Sequence, residues 1–285
     1  MTERLGIRGQ GSGIRDERSA VLDSSDLAVE RERHDGVEIP SAASSPIPTL
    51  QFPAPIAQNW LLRLGQCDYA AAWEVQRRAV AARIADEIPD TLLLVEHPHV
   101  YTLGRGGHAE NVLIDEATLS AIGAKLFWVD RGGDVTYHGP GQIVGYPIVQ
   151  LARFGKDVHA HLRRIEEVLI RTLADFGLEG RRDPTYTGVW VGDEKIAAIG
   201  VHVSHWVTSH GWALNVDPDL YYFSHIIPCG IHHKGVTSLA KLLGRPVSWA
   251  EAEAAVLRHF QEVFEAMFGD EPVATAWLGR LIPDC

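Results

Sequence analysis

From Asn59 onward the apolar positions change period repeatedly, and each change marks an element. NWLLRL reads as a strand. The spacing of Ala72, Val75, Ala79, Val80 and Ile84 predicts a helix over residues 69–85. TLLLVEH (91–97) and VYTLG (100–104) read as two strands broken by Pro98, followed by a short helix over 115–122 and the strand KLFWV (125–129). IVGYPIV (143–149) is a strand, and helical spacing resumes over 158–176, with Asp157 as N-cap and Gly177 near the end. Three strands then follow closely, YTGVWV (186–191), KIAAIGVHVS (195–204) and HGWALNV (210–216), the first two joined by a hairpin at Gly192-Asp193. A last helix runs from Ser248 as N-cap through Trp249 to Phe268. Strands crowd the middle and helices flank them, so the expected class is α+β, a mixed, largely antiparallel sheet with packed helices.

The first 50 residues break this pattern. They hold no aromatic residue, are rich in Arg, Asp, Glu, Ser and Gly, and end in SAASSPIP. Such composition cannot bury enough apolar surface to offset its ordering entropy. The expectation is a disordered extension over 1–52 and a single domain over 53–285; a start codon placed too far upstream accounts for the extension equally well. No stretch approaches the roughly 20 apolar residues of a membrane span, and the first residues lack a secretory core. A cytoplasmic enzyme with no membrane association is expected. The net charge of −11 argues against nucleic acid as a partner. The three cysteines, Cys67, Cys229 and Cys285, have no CxxC spacing, which argues against a disulfide framework or a four-cysteine zinc site.

Three runs carry candidate chemistry. In RGGDVTYHGPGQ (131–142) four glycines allow close backbone approach to a ligand, and Arg131, Thr136, Tyr137, His138 and Gln142 supply donors around it. An ordinary connecting turn fits the same run, which lacks the P-loop pattern. The second run is KIAAIG (195–200) followed by HGWALN (210–215); Lys195 at a hairpin mouth is equally a solvated charge, and His210 equally a structural hydrogen-bonding group. The third is FSHIIPCGI (223–231). Cys67 fits a buried small apolar residue, and Cys285 is terminal. In Pro228-Cys229-Gly230 a fixed approach and a free backbone behind the sulfur can present a thiol beside N–H groups able to act as oxyanion donors. Six histidines, His202, His205, His210, His225, His232 and His233, invite a metal reading, but there is no HExxH, and His202 and His205 on one strand would face opposite ways. No metal is expected.

Together HPHVYTLGRGG (97–107), RGGDVTYHGPGQIVGYPI (131–148), KIAAIGVHV (195–203), TSHGWALNV (208–216) and FSHIIPCGI (223–231) resemble the octanoyltransferases of the lipoyl-protein ligase B type. The resemblance covers roughly residues 59–268, in the family's order and spacing. It implies the fold shared by biotin and lipoate protein ligases. It implies transfer of an octanoyl group from octanoyl-acyl carrier protein to a lysine of lipoyl domains, those of 2-oxoacid dehydrogenase complexes and of glycine cleavage H protein, with no cofactor. Cys229 would carry the acyl thioester, and Lys195 would lower its pKa and act as acid and base. Arg131, Gly132, Gly133, Asp134, Val135, Thr136, Tyr137 and His138, then Ala198, Ile199 and Gly200, then His210, Gly211, Trp212 and Ala213 would bind substrate. Acidic partners of an acidic chain call for a local basic patch, for which Arg105, Arg153, Lys156, Arg163 and Arg164 are candidates.

Other readings remain open on the residues alone. An ATP-dependent lipoate or biotin ligase would share the fold and dispense with Cys229. A Cys-His hydrolase would pair Cys229 with His138 or His210. A non-catalytic module that binds lipoyl domains would need none of these groups.

Overall fold

The structure is a computed structural model and describes residues 59–227, 234–270 and Trp277. The expected N-terminal extension lies outside them. The described chain begins with β1 (Asn59–Gln66), α1 (Tyr69–Ile84), β2 (Thr91–Glu96), β3 (Val100–Leu103), α2 (Glu116–Ala121) and β4 (Lys125–Trp128). It continues through β5 (Val135–His138), β6 (Gln142–Ile148), α3 (Val158–Asp175), β7 (Arg181–Arg182), β8 (Val189–Val191), β9 (Glu194–Ser204) and β10 (Val207–Asn215). It closes with β11 (Gly235–Val236), α4 (Leu239–Leu243), α5 (Trp249–Val263) and β12 (Phe268–Gly269). Among the described residues, no helix is long and apolar enough to cross a membrane.

The large sheet has the order β12-β1-β2-β6-β10-β9-β8-β7, with β11 also paired to β9. The β12–β1, β1–β2 and β11–β9 pairs are parallel and the others antiparallel. Its central strands are apolar on both faces, which is why they read as continuous apolar runs. The alternation still sorts them. Leu61, Leu92, Leu94 and Ile143 join the core under α3 and α5. Their neighbours Trp60, Leu62, Leu64, Leu93, Val95, Val144 and Tyr146 join the core under α1, with Ala72, Val75 and Ala79.

Helix starts follow the sequence. Asp68, Asp115, Asp157 and Ser248 accept hydrogen bonds from the N–H groups of Ala70, Thr118, Ala160 and Glu251. The last helix ends earlier than its apolar spacing predicts. Glu265 turns left-handed at φ 49°, and the Ala266 N–H donates to Gln261 O, a Schellman-like stop. Phe268, at helical spacing from Phe264, instead sits in β12 and packs edge-on against Phe260. The strand expected over 186–191 is shorter as well. Asp183 accepts from the N–H groups of Thr185 and Tyr186, and this turn delays pairing until Val189.

Two further differences matter for the site. The strand 100–103 does not join the large sheet; β4-β3-β5 form a separate three-stranded sheet. Its third strand lies inside the glycine-rich 131–142 run, where Val135 and Tyr137 join Tyr101 and Leu103 in a third core. Cys67 is buried but disulfide-bonded, which corrects the expectation of a free apolar side chain.

Candidate active site

The small sheet lies over the α1 face of the large one and leaves a cleft of about 790 Å3, open solvent at its mouth included. β5 supplies Val135 to His138, β6 supplies Gln142, Val144 and Tyr146, β9 supplies Lys195 and Ala198 to Gly200, and β10 supplies His210 to Ala213 and Asn215. Of the substrate-binding set read from the sequence, all but Gly132 line this one cleft, and Lys195 lines it with them. Residues distant in sequence, from Tyr69 to Val236, meet because β5 of the small sheet and β6, β9 and β10 of the large sheet all line the cleft.

Close backbone approach shapes the cleft at two glycines. A Cβ on Gly145 would lie 2.1 Å from the Trp212 ring, and one on Gly211 would lie 2.1 Å from Gly145 O. Only glycines let β6 and β10 pair here with the indole laid across them. Gly132 serves differently. Its N–H donates to Val201 O, tying the loop before β5 to β9 from outside the cleft.

The cleft is polar at fixed points. Arg131 is buried and donates through NH2 to Thr102 O at 2.7 Å and Thr102 Oγ1 at 2.9 Å. Asp134 accepts from Asn111 Nδ2 and from the His108 N–H, anchoring the loop after β3. His138 is fully enclosed, and burial drives its pKa well below the usual value, so its ring is neutral. Tyr69 stacks on it at 6.2 Å. His97 is likewise pushed down by burial, to about 4. It donates from Nδ1 to Cys67 O and accepts the Tyr146 hydroxyl at Nε2, both at 2.8 Å. At the solvent side, Asp130 is hydrogen-bonded to His210 Nε2 at 2.7 Å, which holds the carboxyl down at about 2; His202 Nε2 lies 3.6 Å from its other oxygen. Among the described residues of the cleft, buried polar atoms with no hydrogen-bond partner include Trp212 Nε1. Orphans of this kind are costly unless a ligand uses them.

Lys195 is the second residue of β9 and is 7% exposed. Its Nζ stands 4.8 Å from the Trp190 ring centroid. Cys229 lies outside the described residues, as do His232 and His233, but the chain on both sides of it is described. Before it, the Tyr101 hydroxyl donates to Tyr222 O, and the Ile227 N–H donates to Asn111 O at 2.8 Å. After it, Val236 pairs with Lys195, and the Thr237 N–H donates to Lys195 O at 3.0 Å. Sequence reading missed Tyr69, Val144, Tyr146, Thr187, Asn215, Phe223 and Val236 as lining residues. Val144, Tyr146, Asn215 and Phe223 lie within the motif runs but were not singled out there, and Tyr69, Thr187 and Val236 lie outside them.

The metal and patch expectations meet different neighbours. His205 sits in the β9–β10 turn at φ 50° instead of on a strand face. Among the described residues no cluster of His, Cys, Asp or Glu is placed to hold a metal ion. Of the basic-patch candidates, Arg153 is paired with Asp90 and Arg163 with Glu166. Arg164 lies over Phe154 and Lys156 over Trp206, and Arg105 is exposed beside the cleft loop.

Comparison with known proteins agrees with this geometry. Residues 68–261 match the family model of the lipoyl protein ligase A/B catalytic domain. The octanoyltransferase of Rubrobacter xylanophilus is 55% identical over 201 residues, 70% of this chain and 90% of the relative. That of Solibacter usitatus is 53% identical over 205 residues, 72% of this chain and 92% of the relative. A bipartite lipoate protein ligase from Thermoplasma acidophilum, solved with its E2 lipoyl domain as part of a lipoylation system, superposes with a TM-score of 0.60 at 18% identity, over 75% of this chain and 86% of its own. A lipoate-protein ligase A bound with ATP gives 0.61 at 18% identity, over 75% and 88%. The structural likenesses show the fold, and the sequence likenesses place the chain within it. The chain belongs to the lipoyl protein ligase A/B catalytic-domain family and, within that family, to the octanoyltransferases.

Proposed function

We propose that this octanoyltransferase takes its acyl group from octanoyl-acyl carrier protein, carries it as a thioester on Cys229, and delivers it to the acceptor lysine of lipoyl domains. The observation that carries the reading is the pairing of Val236 with Lys195. It returns the chain after Cys229 to Lys195, the one lysine among the described residues that lines the cleft. A thiol of pKa ~8.5 is only a few per cent thiolate at neutral pH, and a neighbouring ammonium raises that fraction.

The protons and electrons balance as follows. The Cys229 thiolate attacks the thioester carbonyl, the donor sulfur leaves with the C–S pair, and the Lys195 ammonium protonates it. Neutral Lys195 then takes a proton from the incoming acceptor ammonium. The freed amine attacks the acyl-enzyme, Cys229 leaves as thiolate, and the second amine proton goes to water. Thioester exchange is nearly thermoneutral and amide formation from a thioester runs downhill, so the cycle needs no ATP. Arg131, Gly133, neutral His138, Val144 and Tyr146 hold the acyl chain and exclude water. Identity near 50% to octanoyltransferases, against 18% to the ATP-bound ligase, favours this reading over adenylation.

The test is single-turnover transfer to a purified lipoyl domain with ATP omitted. The parent chain should octanoylate the domain's lysine without nucleotide, and Lys195→Ala should slow it by roughly 100-fold or more, the range of general acid–base catalysis. A strict requirement for ATP, or an undiminished rate in Lys195→Ala, would contradict the proposal.

A further inference from the structure

Trp190, on β8, is 1% exposed, and two ammonium groups meet its indole. Lys195 Nζ lies 4.8 Å from a ring centroid and Lys234 Nζ lies 4.7 Å away. Two like charges at one ring repel unless a carboxylate offsets one of them. Asp183 does so: its Oδ2 is 2.5 Å from Lys234 Nζ, and both side chains are largely buried, so solvent screens the pair little. The other oxygen, Asp183 Oδ1, accepts from the N–H groups of Thr185 and Tyr186. The carboxylate therefore joins the turn before β8 to Lys234, the residue preceding β11. That turn leads into Gly188, where a Cβ would meet Ala197 O at 2.6 Å and the Lys195 stem at 3.4 Å. Lys195 is thus bounded by Trp190 on β8, by the Gly188 backbone, and by its strand partner Val236, and Lys234 and Asp183 fasten the first of these to the last.

We infer that the Asp183–Lys234 ion pair and the Trp190 indole form a positioning unit that holds the Lys195 ammonium for the thiol of Cys229. This rests on the acyl-enzyme reading above. The unit acts on the acyl-accepting step through Lys195. It differs from a diffuse charge effect in the sign of one substitution. Asp183→Asn keeps an oxygen for the Thr185 and Tyr186 N–H groups and leaves Lys234 as an added uncompensated cation. A charge effect would make the thiolate more abundant; loosening the unit makes it less so.

The experiment measures iodoacetamide alkylation of Cys229 by peptide mass spectrometry, together with kcat and KM for octanoyl-acyl carrier protein, on the full chain. Asp183→Asn and Lys234→Met should each lower the alkylation rate and kcat by roughly fivefold, the factor lost with one well-placed cation–π contact, with KM held within about twofold. Lys234→Arg, which keeps both the ion pair and the stacked cation, should retain at least about half the parent rate. Alkylation of Asp183→Asn at or above the parent rate overturns the inference. If that variant does not fold, Lys234→Met decides alone, and an unchanged rate there overturns it. Absence of octanoyl on Cys229 in the parent, read in the same spectra, would instead sink the acyl-enzyme reading.

Discussion

His161 shows how a single side chain sets acid sensitivity. It lies on α3 facing the core, fully buried, with neither ring nitrogen hydrogen-bonded and Phe264 against its edge. Burial pushes its pKa down from 6.5 to about 4. The unfolded state therefore binds the proton more readily. Stability is complete above pH 6.5 and is lost as pH falls toward 4. By that linkage His161 alone costs about 2 kcal/mol between pH 7 and pH 5. His161→Leu should raise the urea midpoint at pH 5 by more than at pH 7; an equal shift at both would contradict the assignment. His97 has the same direction of shift and the same window, but its two hydrogen bonds make it a support for Tyr146 in the cleft wall.

At the scale of elements, the sheet is pinned through one buried carboxylate. Asp90 precedes β2 and receives Arg83 Nε of α1 at 2.8 Å, Arg153 NH1 at 3.0 Å and the Gln150 N–H at 3.0 Å. It thereby ties the end of α1 to the strand behind the cleft. Asp90→Ala leaves the buried Arg83 cation without its main partner and should cost about 3 kcal/mol in chemical denaturation, as loss of one side of a buried pair does. A cost below about 1 kcal/mol, the size of a surface pair, would contradict that role. The helices and central strands were legible in the sequence because caps and apolar period agree there, as at Asp157 and over 158–175. The end of α5 was not, since Phe268 keeps helical spacing while a left-handed Glu265 redirects the chain. Nor was β5, whose alternation is hidden among glycines, or the division into two sheets, which depends on pairings between distant strands.

For the whole molecule, the division into two sheets is what makes a cleft. The residues 131–138, 198–200 and 210–213 were recognisable as substrate-binding candidates through the resemblance of their motifs to those of the octanoyltransferases, and all of them but Gly132 line the cleft. Tyr69 was silent, and Tyr146 and Asn215 were not singled out within their runs, because nothing local distinguishes a core side chain from a cleft wall. Lys195 gained the most from the structure. Alone it is a charge at a hairpin; in the fold it is a buried cation beside an indole, with the chain returning from Cys229 paired to its backbone. The most direct test of the account is mass analysis of the Cys229 peptide after the full chain meets octanoyl-acyl carrier protein without ATP. The account predicts one octanoyl thioester on Cys229, discharged on addition of a lipoyl domain and absent in Cys229→Ser. Normal octanoylation of the lipoyl domain by Cys229→Ser would contradict it.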